Sequence, residues 1–459
     1  VALLWRNADE SAERAASALR VRRAGDTRAS WEWGLRAPVA AIGIAALAVA
    51  LVWDIYAGGS RGFGVLQTSL TGIGVVLVSL AVAPRTANLC LGVLAAIGMV
   101  GGIELVFHLT GYDLEARFRE NVPIFYRQPT EPAGDVFFRR PGPALWTGKV
   151  LSAGVALNGF LDDAYGDEPA VSVTYDAEGF RNPADLRDWE IAVAGDSFVE
   201  LGQLAYDDLF TTRLGAALDV RVKNLGVSYI GPLSALYYLA HYGKAPSTRR
   251  VLLVFFEGND IADLEREQEA VDRFRTTRQR EYRVLPPPQA SFVGPMYHWL
   301  STVVNRQRTL SRNAYYETDH GSLPVWVLYR PPPPDELSAA QRGLLASVVA
   351  SLAQVADALG VEPWLIYMPC KRRVLHGRLR FTAGADAQVA AWQPNRLPAF
   401  MGAIAARHSV RFFDLTPALV AATEGGRLTY NSVGDTHLNR EGSLVVAEAL
   451  AGALSTARR

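Results

Sequence analysis

The sequence predicts an α/β protein: a doubly wound parallel sheet of about five strands with flanking helices, preceded by three transmembrane helices. Three observations lead there. Charged residues nearly vanish between positions 37 and 103 and are common everywhere else. From residue 190 onward, short apolar strand-like runs alternate with helix-like ones, the pattern of βαβ units in a parallel sheet. Successive strand-like runs then end in residues that carry chemistry, at the edge where open α/β sheets collect ligands.

The 459 residues leave room for about two or three structural units, and a hydrophobic content of 49% supports a large core. Lysine plus arginine and aspartate plus glutamate number 46 each, so the whole-chain balance gives no sign of a nucleic-acid partner. Of the two cysteines, Cys90 lies in the uncharged region and Cys370 in the charged part. No disulfide between them is expected, and the redox compartment stays open.

Three runs in the uncharged region, 37–53, 62–84 and 86–109, approach the ~20 residues that a bilayer-spanning helix needs. Buried core helices are the other reading, but three such runs with almost no polar face favour a membrane. Ahead of them, residues 1–36 form a polar tail without an apolar run adequate for a signal peptide. The tail carries Arg6, Arg14, Arg20, Arg22, Arg23, Arg28 and Arg36, whereas the loop after the first run offers Arg61. The positive-inside bias therefore places the N-terminus in the cytoplasm, returns Arg85 to that side, and puts everything after about residue 111 outside. Glu104 and His108 stand one helical turn apart, about 27 Å beyond Thr86, where an interfacial anchor explains them better than a proton relay.

Residues 111–189 are rich in Pro, Gly and aromatics and read as an extracytoplasmic stalk and irregular cover, with β-like pieces such as "AVSVTY". In the domain at 190–459 the order is strand "EIAVAG", helix 203–218, strand "VRVKNLG", helix 232–242 and strand "VLLVFFEGND". An insertion at 261–337 follows, opening with a charge-dense helix and closing on the proline run at 331–334, and is expected to be a lid or docking element. Its Arg273, Arg275, Arg278, Arg280 and Arg283 could grip an anionic polymer, although a solvated helix face is the commoner meaning of such a run. The alternation resumes with helix 338–359, strand "PWLIYMP", helix 397–407, strand "VRFFDL" and helix 441–457. Lys371, Arg372 and Arg373, after the fourth strand, could meet an anionic substrate but read as an ordinary basic loop.

The chemistry gathers at the strand ends. Ser197, in "GDSF", stands where the first strand ends and a helix begins, so free backbone amides surround a candidate nucleophile. A helix cap or turn explains the same residues. Gly226 ends the second strand and Asn259, in "EGND", the third; an amide close to a ligand and a side-chain donor are their functional readings, and turn preference is the other. Among the seven histidines only His437, in "GDTHLN", has an acid at motif-like spacing in a loop before the last helix. Asp435 lies two residues earlier and can orient one imidazole nitrogen while the other faces Ser197.

These four blocks, in this order, resemble those of the SGNH, or GDSL-like, hydrolases over about residues 191–453 apart from the insertion. The resemblance implies an SGNH/flavodoxin-like sheet, a Ser197 nucleophile, a His437 base oriented by Asp435, and an oxyanion hole from the Ser197 and Gly226 amides and the Asn259 side chain. It implies no metal and no cofactor. That family commonly leaves two residues between its Asp and His, where this chain has only Thr436. The shorter "DTH", with "YMPCKRRVL" and "FFDLTPAL", is similar to the SGNH-like domains of alginate-type polysaccharide O-acetyltransferases, which take acyl groups from a multi-span membrane partner. The expectation is thus a membrane-anchored, periplasmic-side serine esterase acting on an O-acyl, chiefly O-acetyl, group of a cell-envelope glycan. An O-acetyltransferase is the alternative, and a non-catalytic envelope binding protein the third reading.

Overall fold

The computed structural model describes residues 33–49, 65–83, 87–111, 130–148, 171–279, 313–319, 321–431 and 435–456. The chain forms two compact units that divide after Gly111. In the first, helices occupy the three apolar runs: α1 (Trp33–Val49), α2 (Val65–Val82) and α3 (Ala87–Thr110). Among the described residues two helices are long and apolar enough to cross a membrane, Asn88–Thr110 with mean hydropathy 2.2 and Ala339–Leu359 with 1.3. The second of these is a core helix of the other unit. Trp33–Val49 and Leu70–Val82 are apolar but shorter, so among the described residues of the first unit one helix reaches spanning length. Glu104 is half-buried and His108 exposed on α3.

The second unit is built on a five-stranded parallel sheet. Its strands are β1 (Ile191–Gly195), β2 (Val222–Gly226), β3 (Arg250–Phe256), β4 (Glu362–Met368) and β5 (Arg411–Asp414). Their spatial order is β2-β1-β3-β4-β5, so β3 is central and the strand order reverses between β1 and β3. That is the flavodoxin-like order, whose ligand crevice lies at this switch point. Period-two alternation divides the strands' side chains between two cores. Ile191, Val193, Leu252, Val254, Trp364 and Ile366 pack with α5 (Phe210–Leu218), α10 (Thr416–Glu424) and α11 (Arg440–Thr456). Ala192, Ala194, Val251, Leu253, Leu365 and Tyr367 pack with α6 (Pro232–Tyr242), α7 (Asp260–Thr277), α8 (Ala339–Leu359) and α9 (Leu397–Arg407). All seven β3 residues are buried, so each of its large apolar side chains contributes about 1.5–3 kcal/mol by leaving water.

Helix α8 shows how locally its ends are specified. Ser338 and Gln341 form a reciprocal capping box, and Gly360 closes the other end in a left-handed turn.

Four expectations change. The helix expected at 203–218 begins at Phe210. Leu201 takes a left-handed conformation with φ 41, and the buried Arg181 guanidinium binds the carbonyls of Glu200, Leu201 and Leu204, which a continuing helix would have used itself. The charge-dense helix is not a solvated face throughout, since the first half of α7 buries Asp260, Ile261, Asp263, Leu264 and Glu267, with Ile261 and Leu264 in the second core. Of its arginines, Arg275 pairs with Asp272 and Arg278 lies over the Phe274 ring; Arg280 and Arg283 fall outside the described residues. The end of the expected insertion builds a three-stranded antiparallel sheet from Ala314–Thr318, Gly321–Val325 and Leu379–Phe381, with Ala314, Tyr316 and Val325 in the core. Finally, Lys371, Arg372 and Arg373 are buried rather than a solvated basic loop.

Candidate active site

Ser197 opens a single helical turn, α4 (Ser197–Glu200), directly after β1. Asp196 caps that turn: its Oδ1 accepts the Phe198 amide at 2.9 Å. Two glycines make the close approach feasible. A Cβ on Gly195 would come within 2.6 Å of the Val199 side chain, and one on Gly226 within 2.3 Å of the Glu200 nitrogen. Gly195 and Gly226 are register partners at the ends of β1 and β2, so α4 lies across both strand ends.

The base arrives from the loop before α11. Tyr430 and Leu438 form an antiparallel bridge, the Asn431 amide donates to the His437 carbonyl at 2.9 Å, and Gln203 Nε2 donates to the Leu438 carbonyl at 3.2 Å. His437 Nε2 stands 2.7 Å from Ser197 Oγ, and its Nδ1 is 2.5 Å from Asp435 Oδ1. Asp435 also accepts from the Thr436 and His437 amides and, at Oδ2, from Asn431 Nδ2 at 2.7 Å. Phe198 stacks on Phe256 and lies against the His437 ring, 4.9 Å between centroids, forming an apolar floor.

Electrostatics follow from this packing. Burial favours protonation of Asp435, but His437, its hydrogen bonds and Lys371 hold the carboxyl well below the usual carboxylate range. Burial opposes charge on His437, yet Asp435 and Asp196 raise its pKa above the ordinary histidine value. Asp196 itself is pushed up to about 6 by burial, against its bond to the Phe198 amide and the charge of His437.

Ser197, His437 and Asp435, the three residues expected to react, are therefore joined in one hydrogen-bonded chain. The expected oxyanion donors fare differently. The Ser197 amide has no hydrogen-bond partner among the described residues. The Gly226 amide does have one, because it donates to Asn224 Oδ1 at 2.8 Å and so turns into the strand end rather than toward the nucleophile. Asn259 Nδ2 gives one hydrogen to Asp263 Oδ2 at 2.7 Å and makes a long contact of 3.4 Å to Asp196 Oδ2, which leaves its second hydrogen weakly held.

One residue the sequence reading passed over is Tyr229. It is 60% exposed, takes φ 69, and its amide has no hydrogen-bond partner among the described residues. A tyrosine in the left-handed region is uncommon and marks a conformation imposed from outside. Here the imposition is visible: Glu200 Oε2 accepts the Ser228 amide, and Glu267 accepts those of Gly231 and Leu233 at 2.8 Å. "NLGVSYIGP" showed two glycines and drew attention away from the residue between them.

The buried charges around the site were equally hidden. Arg140 makes a bidentate pair with Glu200 at 2.9 and 3.0 Å, joined by the Tyr175 hydroxyl. Arg373 pairs with Glu257, and Lys223 with Asp176 at 2.7 Å. A sequence pattern reads such residues as exposed, since unpaired charges are rarely buried.

The fold and the site together define an α/β protein with a serine–histidine–aspartate chain at the C-terminal edge of its sheet. No family model and no curated protein matches the chain. Solved structures similar in part include the following two. A lipolytic protein of the G-D-S-L family from Desulfitobacterium hafniense DCB-2 is 11% identical, covering 57% of this chain and 98% of its own, with TM-score 0.28. An alpha/beta hydrolase enzyme from the metagenome of Lake Arreo, Spain, is 16% identical, covering 58% of this chain and 95% of its own, with TM-score 0.30. Likenesses of this size carry no argument for function, which rests on the residues themselves.

Proposed function

We propose that this chain is a membrane-anchored, extracytoplasmic serine esterase that removes O-acyl, chiefly O-acetyl, groups from a cell-envelope glycan or related ester. The observation that carries the esterase chemistry is the chain Ser197 Oγ, His437 Nε2, His437 Nδ1, Asp435 Oδ1, with distances of 2.7 and 2.5 Å. The apolar α3 and the arginine-rich tail support the membrane placement; the "DTH" resemblance supports the glycan.

As Ser197 Oγ attacks the ester carbonyl, its proton passes to His437 Nε2, and Asp435 holds the imidazole in the right tautomer and stabilises the imidazolium. The oxyanion is met by the unpaired Ser197 amide and by the weakly held hydrogen of Asn259. Collapse breaks the bond to the alcohol, which takes the proton from His437 and leaves an acyl-serine. Water, deprotonated by the same nitrogen, releases the acid; a sugar hydroxyl in its place would complete a transfer.

The test uses the full chain in detergent with p-nitrophenyl acetate and an O-acetylated polysaccharide. Ser197→Ala is expected to lower kcat by about 10⁴-fold or more, and the wild-type chain to carry an acetyl mass on Ser197 in a quenched reaction. Wild-type hydrolysis by Ser197→Ala would discard the nucleophile. Acetate transferred to a glycan, with little released to water, would replace the esterase by the acetyltransferase.

A further inference from the structure

Lys371 is the first residue of a helical turn, Lys371–Val374, that follows β4. Its backbone is anchored by its neighbours: Glu257 accepts the Cys370 amide at 2.8 Å, pairs with Arg373, and takes the Tyr367 hydroxyl. The lysine side chain is thereby sent in another direction. At 1% exposure, its Nζ donates to the carbonyl of Asp435 at 2.5 Å and to that of Trp326 at 2.9 Å. Trp326 directly follows the strand Gly321–Val325, so one ammonium joins the end of β4, the returning end of the 313–327 segment and the loop that carries both Asp435 and His437. Burying an ammonium costs several kcal/mol, so it persists only where the local field favours it.

We propose that Lys371 is a positioning and tuning residue for the acid–base pair: its ammonium fixes the Asp435 carbonyl and sets a positive charge behind the Asp435–His437 hydrogen bond. The inference rests on the esterase reading above. Its chemical consequence is a moderated base. The charged and titratable groups acting on His437 are Asp435 and Asp196, which raise its pKa, and Lys371, which lowers it. Asp435 acts on Lys371 in turn, opposing the burial that brings the lysine down to about 7. Below that pH Lys371 is charged, and it keeps His437 from holding its proton too tightly to serve as a base.

The experiment measures kcat/KM against pH for the full chain in detergent, with p-nitrophenyl acetate, in wild type, Lys371→Met, Lys371→Gln and Lys371→Arg. Removing the positive charge moves the acid limb to higher pH by about one unit, which lowers kcat/KM about tenfold on the acid side while KM changes little. Lys371→Arg keeps the charge and returns the limb to within roughly a third of a unit of wild type. A limb that stays in place in either folded neutral variant overturns the proposal. So does failure of both neutral variants to fold, since a lysine needed for folding is structural rather than tuning. Labelling of wild-type Ser197 by a fluorophosphonate separates the two levels: if it fails, the esterase reading falls, whereas normal labelling with an unmoved limb removes Lys371 alone.

Discussion

On the nucleophile's side of the Ser197–His437 hydrogen bond, Arg140, Tyr175 and the Ser228 amide converge on Glu200, the last residue of α4, whose charge has the Arg140 guanidinium in direct contact. On the base's side, Lys371 holds the loop through the Asp435 carbonyl and the neighbouring segment through that of Trp326, and its charge acts on Asp435 without a described ion pair between the two side chains. The first arrangement is a closed ion pair with bidentate geometry, which fixes a position and leaves little to adjust. The second is a charge placed at a distance, which shapes a field. The difference fits the tasks: a nucleophile must stay put, whereas a base must exchange a proton and needs a tuned affinity for it.

The contrast breaks most severely at Arg140. Arg140→Met leaves the Glu200 carboxylate buried with its ion pair gone, and is expected to destabilise the second unit by about 3–5 kcal/mol. Urea titration followed by tryptophan fluorescence measures it, and adding Glu200→Gln should recover part of the loss; a single variant as stable as wild type would show the pair to be idle. A somewhat smaller effect comes from acid. Burial raises the Glu200 pKa, but Arg140 and the hydrogen bonds bring it from 4.5 down to about 2. The folded carboxyl is thus the stronger acid, so its contribution is complete above about 4.5 and is lost as pH falls toward 2, amounting to about 3 kcal/mol. The urea midpoint should fall across that window in wild type and fall less in the Arg140→Met, Glu200→Gln double variant. The mildest lesion sits between the two sides: Gly226→Ala drives a Cβ into the Glu200 nitrogen and should cost about 1–3 kcal/mol, with kcat falling more than KM rises.

The five strands and their flanking helices were legible in the sequence because period-two and helical patterns reflect burial that local residues decide, as in the continuous apolar run of β3. The residues of the Ser197–His437–Asp435 chain were legible because each ends an element or sits in a loop beside one. What stayed hidden depends on which side chain reaches a given group, mostly from far away in the chain. Residues 203–209 look helical until Arg181 takes the Leu204 carbonyl. Lys371 and Arg373 look solvated until Asp435 and Glu257 surround them. Gly226 offers an amide until Asn224, two residues back, bends its side chain around to accept it.

The paired glycines at the ends of β1 and β2 have a meaning for anyone moving this chemistry elsewhere. Gly195 and Gly226 contribute empty volume, and the reactive turn is seated in that volume. A graft carrying only Ser197, His437 and Asp435 onto another parallel sheet would deliver the reagents without the seat. The transferable unit is therefore a mould of two adjacent strand ends with their side chains missing, and the serine is what the mould casts.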